Sequence, residues 1–380
     1  MGELVRWGDI AQLVYGKALR DYDGNDQRPV RVYGTNGPIG YADVSQSTGP
    51  RVIVGRKGAY RGVHLATGEF WVIDTAYYLE HNRCVDAVWA YYALLNTDIN
   101  GLGSGSAIPS TAREDFYSLR VMLPSLCEQR SIAEILRALD GKIAANERIA
   151  RTALALADSL FEQARSSSEE RTTIGELAEQ NIIEFGDGYR TKRSEHGKPG
   201  LRILRAGDVR DFQLLPTGGD YVSADYSRQI GGKASMPGDV VMTTKGTVGR
   251  VAVVGAHTEQ VVYSPQICYF RVRDIASLGV GCLAAWFRSP DLTSQTASLM
   301  YKSDMAPYIN LRDIRSLSMP VFDPSVQHRQ SKLQSGLLDR FDACCVENES
   351  LARTRDELLP LLMSGKLSVK AAETVASEVL

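Results

Sequence analysis

The sequence predicts an α+β protein with a pseudo-twofold tandem repeat: two similar mixed α/β domains, each followed by a long helix, and the two helices forming an antiparallel coiled coil. Similar segments recur at a spacing of roughly 190–200 residues. Each proposed domain contains short strands rich in Val, Ile and Tyr, which alternate with Gly, Pro, Asn and Asp. After each domain, apolar residues follow the 4-3 spacing of a coiled-coil seam.

Matching segments place the domain boundaries. VIVGRKG at 52–58 resembles VVMTTKG at 240–246, and both read as short strands that end in a Lys-Gly loop. Residues 104–124 resemble residues 302–320, and both segments end in a Pro that precedes a long helical pattern. The predicted segments are a first mixed domain at 1–123, a first spacer helix at 124–168, a second mixed domain at 169–319, and a second spacer helix with a C-terminal tail at 320–380.

A shorter helix is predicted within each domain, at a similar distance before the long helix. The two segments are VDAVWAYYALLN at 85–96 and VGCLAAWFRSP at 280–290. The long helices themselves are expected from about Ser125 to Arg165 and from about Pro324 to Ser364. A helix of ~35–40 residues spans ~50–60 Å, which is more than a small domain needs for its own core. We therefore expect the paired helices to act as a spacer between the domains.

The seam positions can be read from the 4-3 spacing. In the first helix they are Ile132, Leu136, Leu139, Ile143, Asn146, Ala150, Ala153, Ala157 and Leu160. In the second they are Leu333, Leu337, Phe341, Cys344, Asn348, Leu351, Leu358 and Leu362, with Arg355 as an interruption. A buried seam Asn costs stability but sets register. Asn146 and Asn348 either meet near the centre of an antiparallel pair, or each pairs with water or backbone. Pro360 is expected to end or kink the second helix, and Gly365 to stop it.

Composition is that of a globular protein, with 44% hydrophobic and 23% charged residues. A net charge of −2 argues against a protein that coats DNA through bulk charge, although it permits local basic patches. No apolar run reaches the ~18 residues of a membrane span, and the N-terminus does not read as a signal peptide, so a cytoplasmic protein is expected. The six cysteines contain no C-x-x-C pair and are expected to be reduced, with no zinc.

Catalytic motifs are missing from the sequence. It has no G-x-x-x-x-G-K-[ST] loop for a nucleoside triphosphate, no G-x-S-x-G elbow, and no Asn/Asp-Pro-Pro-aromatic tetrapeptide of an amino-methyltransferase. Its glycine clusters do not fit G-x-G-x-x-G after a strand, and its five histidines lack metal-ligand spacing. We therefore expect no catalytic residue, no metal ligand and no enzymatic activity of the chain itself.

Gly-rich loops with basic and aromatic side chains are the candidate contacts for nucleic acid. They lie at 33–41 and 55–62 in the first domain and at 185–193, 204–210 and 243–250 in the second. Gly allows the backbone to approach a phosphate closely, Lys and Arg neutralise phosphates, and Asn and Arg can bond base edges. The candidate residues are Asn36, Arg56, Lys57, Tyr60, Arg61, Tyr189, Arg190, Lys192, Arg193, Lys245, Arg250, Tyr301 and Lys302.

Each of these residues also has a simpler interpretation. A single Lys or Arg in a Gly-rich loop is commonly a solvated residue, and the glycines can serve turns alone. The interpretation as a contact is strongest for Lys57 and Lys245, because their Lys-Gly loops recur at corresponding places in both repeats.

Two helix motifs connect the chain to a known family. PSLCEQRSIAEIL at 124–136 is similar to the pattern P-x-x-x-E-Q-x-x-I-A-x-x-L, and LLPLLMSGKLSV at 358–369 is similar to L-L-x-x-x-x-S-G-K-L. With YGTNG at 33–37 and LRAGDV at 204–209, the whole chain resembles the specificity subunit of type I restriction-modification enzymes. The second helix departs from the opening pattern, with Gln327-His328 where the first has Glu128-Gln129.

This resemblance implies two target-recognition domains that each read one half of an asymmetric, interrupted site in double-stranded DNA, with the helices setting the gap. It implies assembly with two methyltransferase subunits, which use S-adenosylmethionine, and with motor-nuclease subunits, which use ATP and Mg²⁺; this chain would bind no cofactor. It also implies that the conserved helices contact the methyltransferase subunits. The residues expected at that interface are Glu128, Arg130, Ile132, Arg329 and Leu333.

Three other hypotheses remain open. A fused methyltransferase or nuclease would need a catalytic motif, which the sequence lacks. A coiled-coil scaffold that binds only proteins would have no affinity for DNA even with methyltransferase subunits present. A specificity subunit of a methylation-only or other phage-defence complex would share every feature above and would differ in the genes beside it.

Overall fold

The computed structural model describes residues 2–103, 109–300 and 307–380. It divides into two compact units, the first comprising Met1–Ala145 with Glu347–Leu380 and the second Asn146–Val346. Both units mix helices and strands, which confirms the predicted α+β class. The divisions fall inside the two long helices, so each unit contains part of both helices.

The first unit begins with a mixed domain. Its strands are β1 (Glu3–Arg6), β2 (Ala11–Tyr15), β3 (Val30–Gly34), β4 (Gly37–Ala42), β5 (Ser47–Thr48), β6 (Arg51–Gly55), β7 (Val63–Ala66), β8 (Glu69–Val72), β9 (Ala76–His81) and β10 (Arg120–Leu123). Its helices are α1 (Trp7–Ile10), α2 (Ala87–Leu95), α3 (Arg113–Ser118) and α4 (Leu126–Arg165), the last of which continues into the second unit.

The strands of the first unit form two four-stranded sheets and one ribbon. One sheet has the order β2-β9-β6-β7 and is antiparallel throughout, and the other has the order β4-β3-β8-β5 with β3 parallel to β8. The ribbon pairs β1 with β10. In the core of the first unit, Trp7 packs against Trp89 and Phe116, and all three side chains are fully buried. The Asp86 carboxylate caps α2 by accepting hydrogen bonds from the Val88 and Trp89 amides.

The second unit contains a second mixed domain. Its strands are β11 (Arg171–Thr173), β12 (Ile183–Asp187), β13 (Gly200–Leu204), β14 (Val209–Arg210), β15 (Gln213–Leu214), β16 (Tyr221–Ser223), β17 (Val240–Thr243), β18 (Val251–Val253), β19 (Val261–Tyr263), β20 (Ile267–Val272) and β21 (Ser318–Pro320). Its helices are α5 (Ile174–Glu179), α6 (Ser227–Ile230), α7 (Val280–Arg288), α8 (Pro290–Met300), α9 (Leu311–Arg315) and α10 (Pro324–Met363), with 3₁₀ turns at Arg193–Glu195, Ala206–Asp208, Ala224–Tyr226 and Gly231–Lys233.

The second unit repeats the strand order of the first. The sheet β12-β20-β17-β18 corresponds to β2-β9-β6-β7, and β16-β13-β19 corresponds to β4-β3-β8, including the parallel pair β13–β19. The ribbon β11–β21 corresponds to β1–β10. The short helices α2 and α7 lie where the sequence predicts them, at 85–96 and 280–290. The tandem repeat is therefore present in the connections of the chain as well as in its sequence.

The two long helices are antiparallel within each unit. In the first unit, Arg355 lies 2.7 Å from Asp140 and Lys142 lies 3.2 Å from Glu347, so the residue numbers rise along α4 as they fall along α10. In the second, the Leu160 carbonyl accepts from the Gln330 side chain at 3.2 Å. The bounds of both helices agree with the prediction to within one or two residues.

The predicted seam of α4 is confirmed by burial. Its buried members are Ile132, Leu136, Leu139, Asn146, Ala150, Ala153 and Ala157, and the remaining two, Ile143 and Leu160, are half-buried. Asn348 donates from its side chain to the Ile143 carbonyl at 3.3 Å, a backbone pairing. The backbone partner agrees with the second of the two alternatives for this residue.

The predicted seam of α10 is wrong over its first turns. Leu333 is 43% exposed, whereas Gln330 and Gln334 are buried. Gln334 donates to the Ala157 carbonyl at 2.8 Å, so its amide is satisfied by the backbone of α4. A hydropathy pattern selects the nearby leucine because it cannot show that a buried glutamine has a partner.

The end of α10 follows the prediction only in part. Pro360 lies inside the last turn, and the helix continues to Met363. Gly365 stops it with a φ of 70°, the left-handed conformation that favours glycine. A further helix, α11 (Val369–Ser377), then packs Ala372 and Ala376 into the core of the first unit. No helix among the described residues is long and apolar enough to cross a bilayer.

Candidate nucleic-acid interface

The two Lys-Gly loops occupy corresponding positions in the two units. In the first unit the Arg56 carbonyl accepts from the Thr111 amide at 2.9 Å, and Lys57 forms a β-bridge with Ser110. In the second unit the Thr244 carbonyl accepts from the Ile309 amide at 3.0 Å, and Lys245 forms a β-bridge with Tyr308. The glycines that follow, Gly58 and Gly246, have φ values of 125° and 80°. The loops match residue for residue.

The Lys-Gly loop of the first unit lies against the other Gly-rich loop of that unit. The Thr35 carbonyl accepts from the Gly62 amide at 2.9 Å, and the Asn36 side chain, with its amide turned to satisfy both ends, donates to the Tyr60 carbonyl at 2.7 Å. The His64 ring lies close to both loops. A Cβ added at Gly37 would lie 2.9 Å from this ring, and one added at Gly62 would lie 2.4 Å from it. Only glycine at these two positions lets the loops lie so close to the His64 ring.

The same two loops meet in the second unit through a different side chain. The Thr243 amide donates to the Arg250 carbonyl at 2.9 Å, as the Gly55 amide does to the Gly62 carbonyl at 2.8 Å. The Arg250 guanidinium donates to the Val209 carbonyl at 3.4 Å, which joins 243–250 to 204–210. Each unit thus brings together the loops that the sequence nominated separately.

Most of the nominated side chains are accessible to a ligand. In the first unit Asn36, Lys57 and Tyr60 are exposed, with Tyr60 at 66%. In the second unit Lys245 and Arg250 are exposed, as are Arg190, Lys192 and Arg193. Tyr301 and Lys302 lie outside the described residues.

Two further candidate residues are half-buried against partners inside the protein. Arg56 is half-buried, with its guanidinium 4.9 Å from the centre of the Tyr15 ring. Tyr189 is half-buried, and burial together with its hydrogen bond to Glu195 raises the pKa of its phenol. Tyr189 therefore supports the loop in which it lies, while the basic residues after it face solvent.

Arg61 requires a correction. Its side chain is 1% exposed, and Nη2 donates to the Asn100 and Leu102 carbonyls at 2.6 and 3.0 Å. Nη1 donates to the Thr111 hydroxyl at 3.3 Å. A phosphate cannot reach a guanidinium in this position, so Arg61 holds the loop in shape and is removed from the set of phosphate contacts.

Further candidates emerge when the units are compared. Lys17 corresponds to Tyr189, because their backbone amides make matching hydrogen bonds. The Lys17 amide donates to the Val72 carbonyl at 2.8 Å, and the Tyr189 amide donates to the Tyr263 carbonyl at 2.7 Å. Arg113 lies at the start of α3 with its guanidinium 4.0 Å from the Tyr15 ring, beside Arg56. Alignment of the two repeats through their strands would have identified Lys17, because it stands opposite the candidate residue Tyr189.

In the second unit, the corresponding region is a cleft with polar groups among its lining residues. A cavity of about 420 Å³ lies between the end of β12, the Lys-Gly loop and the start of α9. Asp187, Lys245, Asn310 and Arg312 are among its lining residues. These groups offer both donors and acceptors, as a base edge requires. In the first unit, Tyr15 stacks with Arg56 and Arg113 at this place, so the two units present different chemistry at corresponding positions.

The nominated partner-binding residues divide by burial. Glu128 is half-buried, and Arg130 and Arg329 are exposed, as is Leu333. Ile132 is 2% exposed and packs in the core of the first unit, so its prediction as a partner contact is corrected. An apolar seam residue at this position is used by the fold itself.

The opening motif of α4 also has a structural explanation. Gln129 is fully buried; its amide donates to the Cys84 and Pro124 carbonyls at 2.9 Å, and its Oε1 accepts from the Asp86 amide at 2.8 Å. It ties α4 to the start of α2.

Among residues 2–103, 109–300 and 307–380, no group of three or more His, Cys, Asp or Glu is placed to hold a metal ion.

Parts of the chain are similar in sequence to known proteins. Residues 3–153 match the type I restriction modification DNA specificity domain. The type I restriction enzyme MjaVIII specificity subunit of Methanocaldococcus jannaschii is 21% identical over 311 residues, covering 77% of this chain and 72% of that protein. The type I restriction enzyme EcoprrI specificity subunit of Escherichia coli is 30% identical over 109 residues, covering 28% of this chain and 27% of that protein.

A solved structure shares the fold. The crystal structure of the S subunit of a type I restriction-modification system from M. genitalium aligns over 96% of both chains, with a TM-score of 0.67 and 18% sequence identity. Together with the family match, this confirms the resemblance that the two helix motifs indicated.

Proposed function

We propose that this chain is the DNA-recognition subunit of a type I restriction-modification complex, because residues 3–153 match the type I restriction modification DNA specificity domain. Each unit reads one half of a bipartite, asymmetric site in double-stranded DNA. The chain itself carries out no chemistry. A cytoplasmic location accords with this role.

The observation that carries the proposal is the correspondence of the two Lys-Gly loops. Lys57 and Lys245 are exposed, lie on matching backbone positions, and stand beside a second Gly-rich loop in each unit. Lysines on such loops can bond phosphates and fix the position of the protein on the duplex. The neighbouring polar groups are Asn36 in the first unit and Asp187, Asn310 and Arg312 in the second, and we propose that base reading occurs there.

The different chemistry beside the two Lys-Gly loops supports an asymmetric site. Tyr15 with its two guanidinium groups in the first unit, and the donor and acceptor cleft in the second, favour different bases. Two copies of one reading surface would instead favour a repeated or palindromic half-site.

The long helices carry the remaining parts of the proposal. We propose that α4 and α10 set the gap between the half-sites and dock two methyltransferase subunits through Glu128, Arg130, Arg329 and Leu333. The methyltransferase subunits supply S-adenosylmethionine chemistry, and motor-nuclease subunits that join them use ATP and Mg²⁺. A methylation-only or other phage-defence complex would use the same surfaces without the motor-nuclease subunits.

An exchange of domains tests the proposal directly. Residues 1–123 are replaced by the corresponding segment of another family member, and the chain is expressed in a host with its methyltransferase subunits. Methylome sequencing should show a change in one half of the methylated motif and no change in the other. A change in both halves would contradict independent reading, and a complex that binds no DNA would favour the protein-scaffold alternative.

A further inference from the structure

The loop after β2 in the first unit and the loop after β12 in the second begin with the same backbone hydrogen bonds. In the first unit, the Gly16 and Lys17 amides donate to the Ala76 and Val72 carbonyls. In the second unit, the Gly188 and Tyr189 amides donate to the Ile267 and Tyr263 carbonyls. Both loops end in a proline that precedes the next strand. The loops at 16–29 and 188–199 therefore correspond to one another.

The loop of the first unit is charge-balanced and partly closed on itself. Its three basic residues accompany three aspartates. The guanidinium of Arg28 lies 3.0 Å from Asp21, 3.6 Å from Asp23 and 2.8 Å from Asp43, and its side chain is only 11% exposed. The three carboxylates are 86, 59 and 66% exposed, so this surface repels a polyanion.

The loop of the second unit presents positive charge. It contains four basic residues and one carboxylate, that of Glu195. Glu195 is buried and accepts from the Lys192 amide at 3.0 Å, so it is used to shape the loop. Arg190, Lys192 and Arg193 are exposed, and the ion pairs in the part of the chain that the structure describes do not include them.

The basic loop is also held by the rest of the second unit. The Gly197 amide donates to the Tyr221 carbonyl at 3.0 Å, and the Lys198 ammonium lies 4.0 Å from the centre of the Tyr221 ring. His196 forms a β-bridge with Val222. Because the backbone is already ordered, less conformational entropy is lost when a ligand binds.

We propose that residues 188–199 form a phosphate-binding arm for B-form DNA that has no working counterpart in the first unit, so that the second unit supplies most of the sequence-independent attachment. This inference rests on the proposed function. Each phosphate neutralised on B-DNA contributes about 0.9 to the slope of log K against log salt. Arg190, Lys192 and Arg193 together should therefore contribute a slope of about 2.7.

The test uses the full chain with its methyltransferase subunits and a mixed-sequence DNA duplex, so the recognised sequence is not needed. The triple variant Arg190→Ala/Lys192→Ala/Arg193→Ala should lower the salt slope by two to three units, about one per cation. The matched change in the first unit, Lys17→Ala/Arg20→Ala, should lower it by less than about one unit in total. The variant Arg190→Lys/Arg193→Lys keeps the charges and should keep the slope.

The outcomes are distinct. An unchanged slope in the triple variant, or an equal loss per charge in the first-unit variant, overturns the phosphate-binding arm. Loss of methyltransferase assembly with an unchanged slope also overturns it and identifies the loop as a protein contact. Failure of the wild-type complex to bind DNA refutes the proposed function itself. If the triple variant does not fold, the single variants Arg190→Gln and Arg193→Gln replace it, each with an expected loss of about one unit.

Discussion

Two arginines in one short loop of the first unit have different roles. Arg56 and Arg61 both occur in GRKGAYRG and look equally suited to phosphate binding in the sequence. The fold buries Arg61 among three hydrogen-bond acceptors and leaves Arg56 half-buried, stacked on Tyr15. The loop type and the recurring lysine could be predicted from sequence. The burial of Arg61 could not, because it depends on Asn100 and Thr111, which are distant in the chain.

Replacing the exposed lysines Lys57 and Lys245 should weaken DNA binding without changing the stability of the chain. Lys57→Ala and Lys245→Ala each remove a cation from an exposed loop without disturbing a buried group, so the salt slope of DNA binding should fall by about one unit in each variant. Fluorescence anisotropy across a range of salt concentrations measures the slope. A variant with the wild-type slope would show that its lysine contacts no phosphate, and Lys→Arg at the same position should restore most of the slope.

Arg61 should act on stability. In Arg61→Ala the Asn100 and Leu102 carbonyls and the Thr111 hydroxyl lose their shared donor inside the first unit. Leaving buried groups unsatisfied costs about 1–3 kcal/mol, which chemical unfolding of the purified chain would measure. The matched control is Lys57→Ala in the same loop, expected within about 0.5 kcal/mol of wild type. Equal stability of the two variants would contradict the buried role of Arg61.

At the scale of elements, the sequence predicts the first long helix better than the second. The α4 seam consists mainly of Ile, Leu and Ala, and burial follows its 4-3 spacing. The α10 seam begins with Gln330 and Gln334, which no hydropathy pattern selects. A glutamine is placed on the seam by the α4 carbonyls that accept its hydrogen bonds, and these become visible only when both helices are present.

The same correction bears on the proposed docking of methyltransferase subunits on the helix pair of the second unit. On one side, both helices contact the second mixed domain. Leu154 and Asp158 of α4 do so, with Asp158 accepting from Arg288, and Ser331 of α10 lies against Gly279. Leu156 and Leu333 lie on the other side of the seam, and they are 48% and 43% exposed. We propose that these two exposed leucines take part in the contact with the methyltransferase subunits.

Leu333→Glu should therefore disrupt assembly. The substitution adds a charge to an exposed position, so the stability of the free chain should change by no more than about 0.5 kcal/mol. Binding of the methyltransferase subunits should weaken at least tenfold, about 1.4 kcal/mol, as measured by titration or size-exclusion chromatography. Lys332→Glu, one residue away, is the control. Wild-type affinity in Leu333→Glu would place the methyltransferase contact elsewhere.

At the scale of the whole molecule, the repeat was the most predictable feature. The pairs 52–58 and 240–246, and 104–124 and 302–320, were enough to predict two units, and the strand orders agree. The order of the strands themselves was not predictable, because register depends on pairing between distant segments such as β3 with β8. The difference between the corresponding loops at 16–29 and 188–199 was likewise hidden until the strands aligned them.

The proposed spacer role predicts how the recognised gap responds to helix length. One heptad is inserted in α4 after Ala145 and a matching heptad in α10 after Val346. Seven helical residues add about 10 Å, which corresponds to about three base pairs at ~3.4 Å each. Methylome sequencing should therefore report the same two half-sites separated by a longer gap.

Seven residues rotate a straight helix by only ~20° relative to the heptad repeat, whereas three base pairs rotate B-DNA by about 100°, given 10–10.5 base pairs per turn. The longer site should consequently be bound more weakly than the native site is bound by the wild type, because the duplex must be untwisted. A heptad inserted in α4 alone is the control, since it removes the seam partners of α10 and should abolish methylation. If the matched insertions leave the gap at its original length, the helices do not set it, and the spacing must arise within the units.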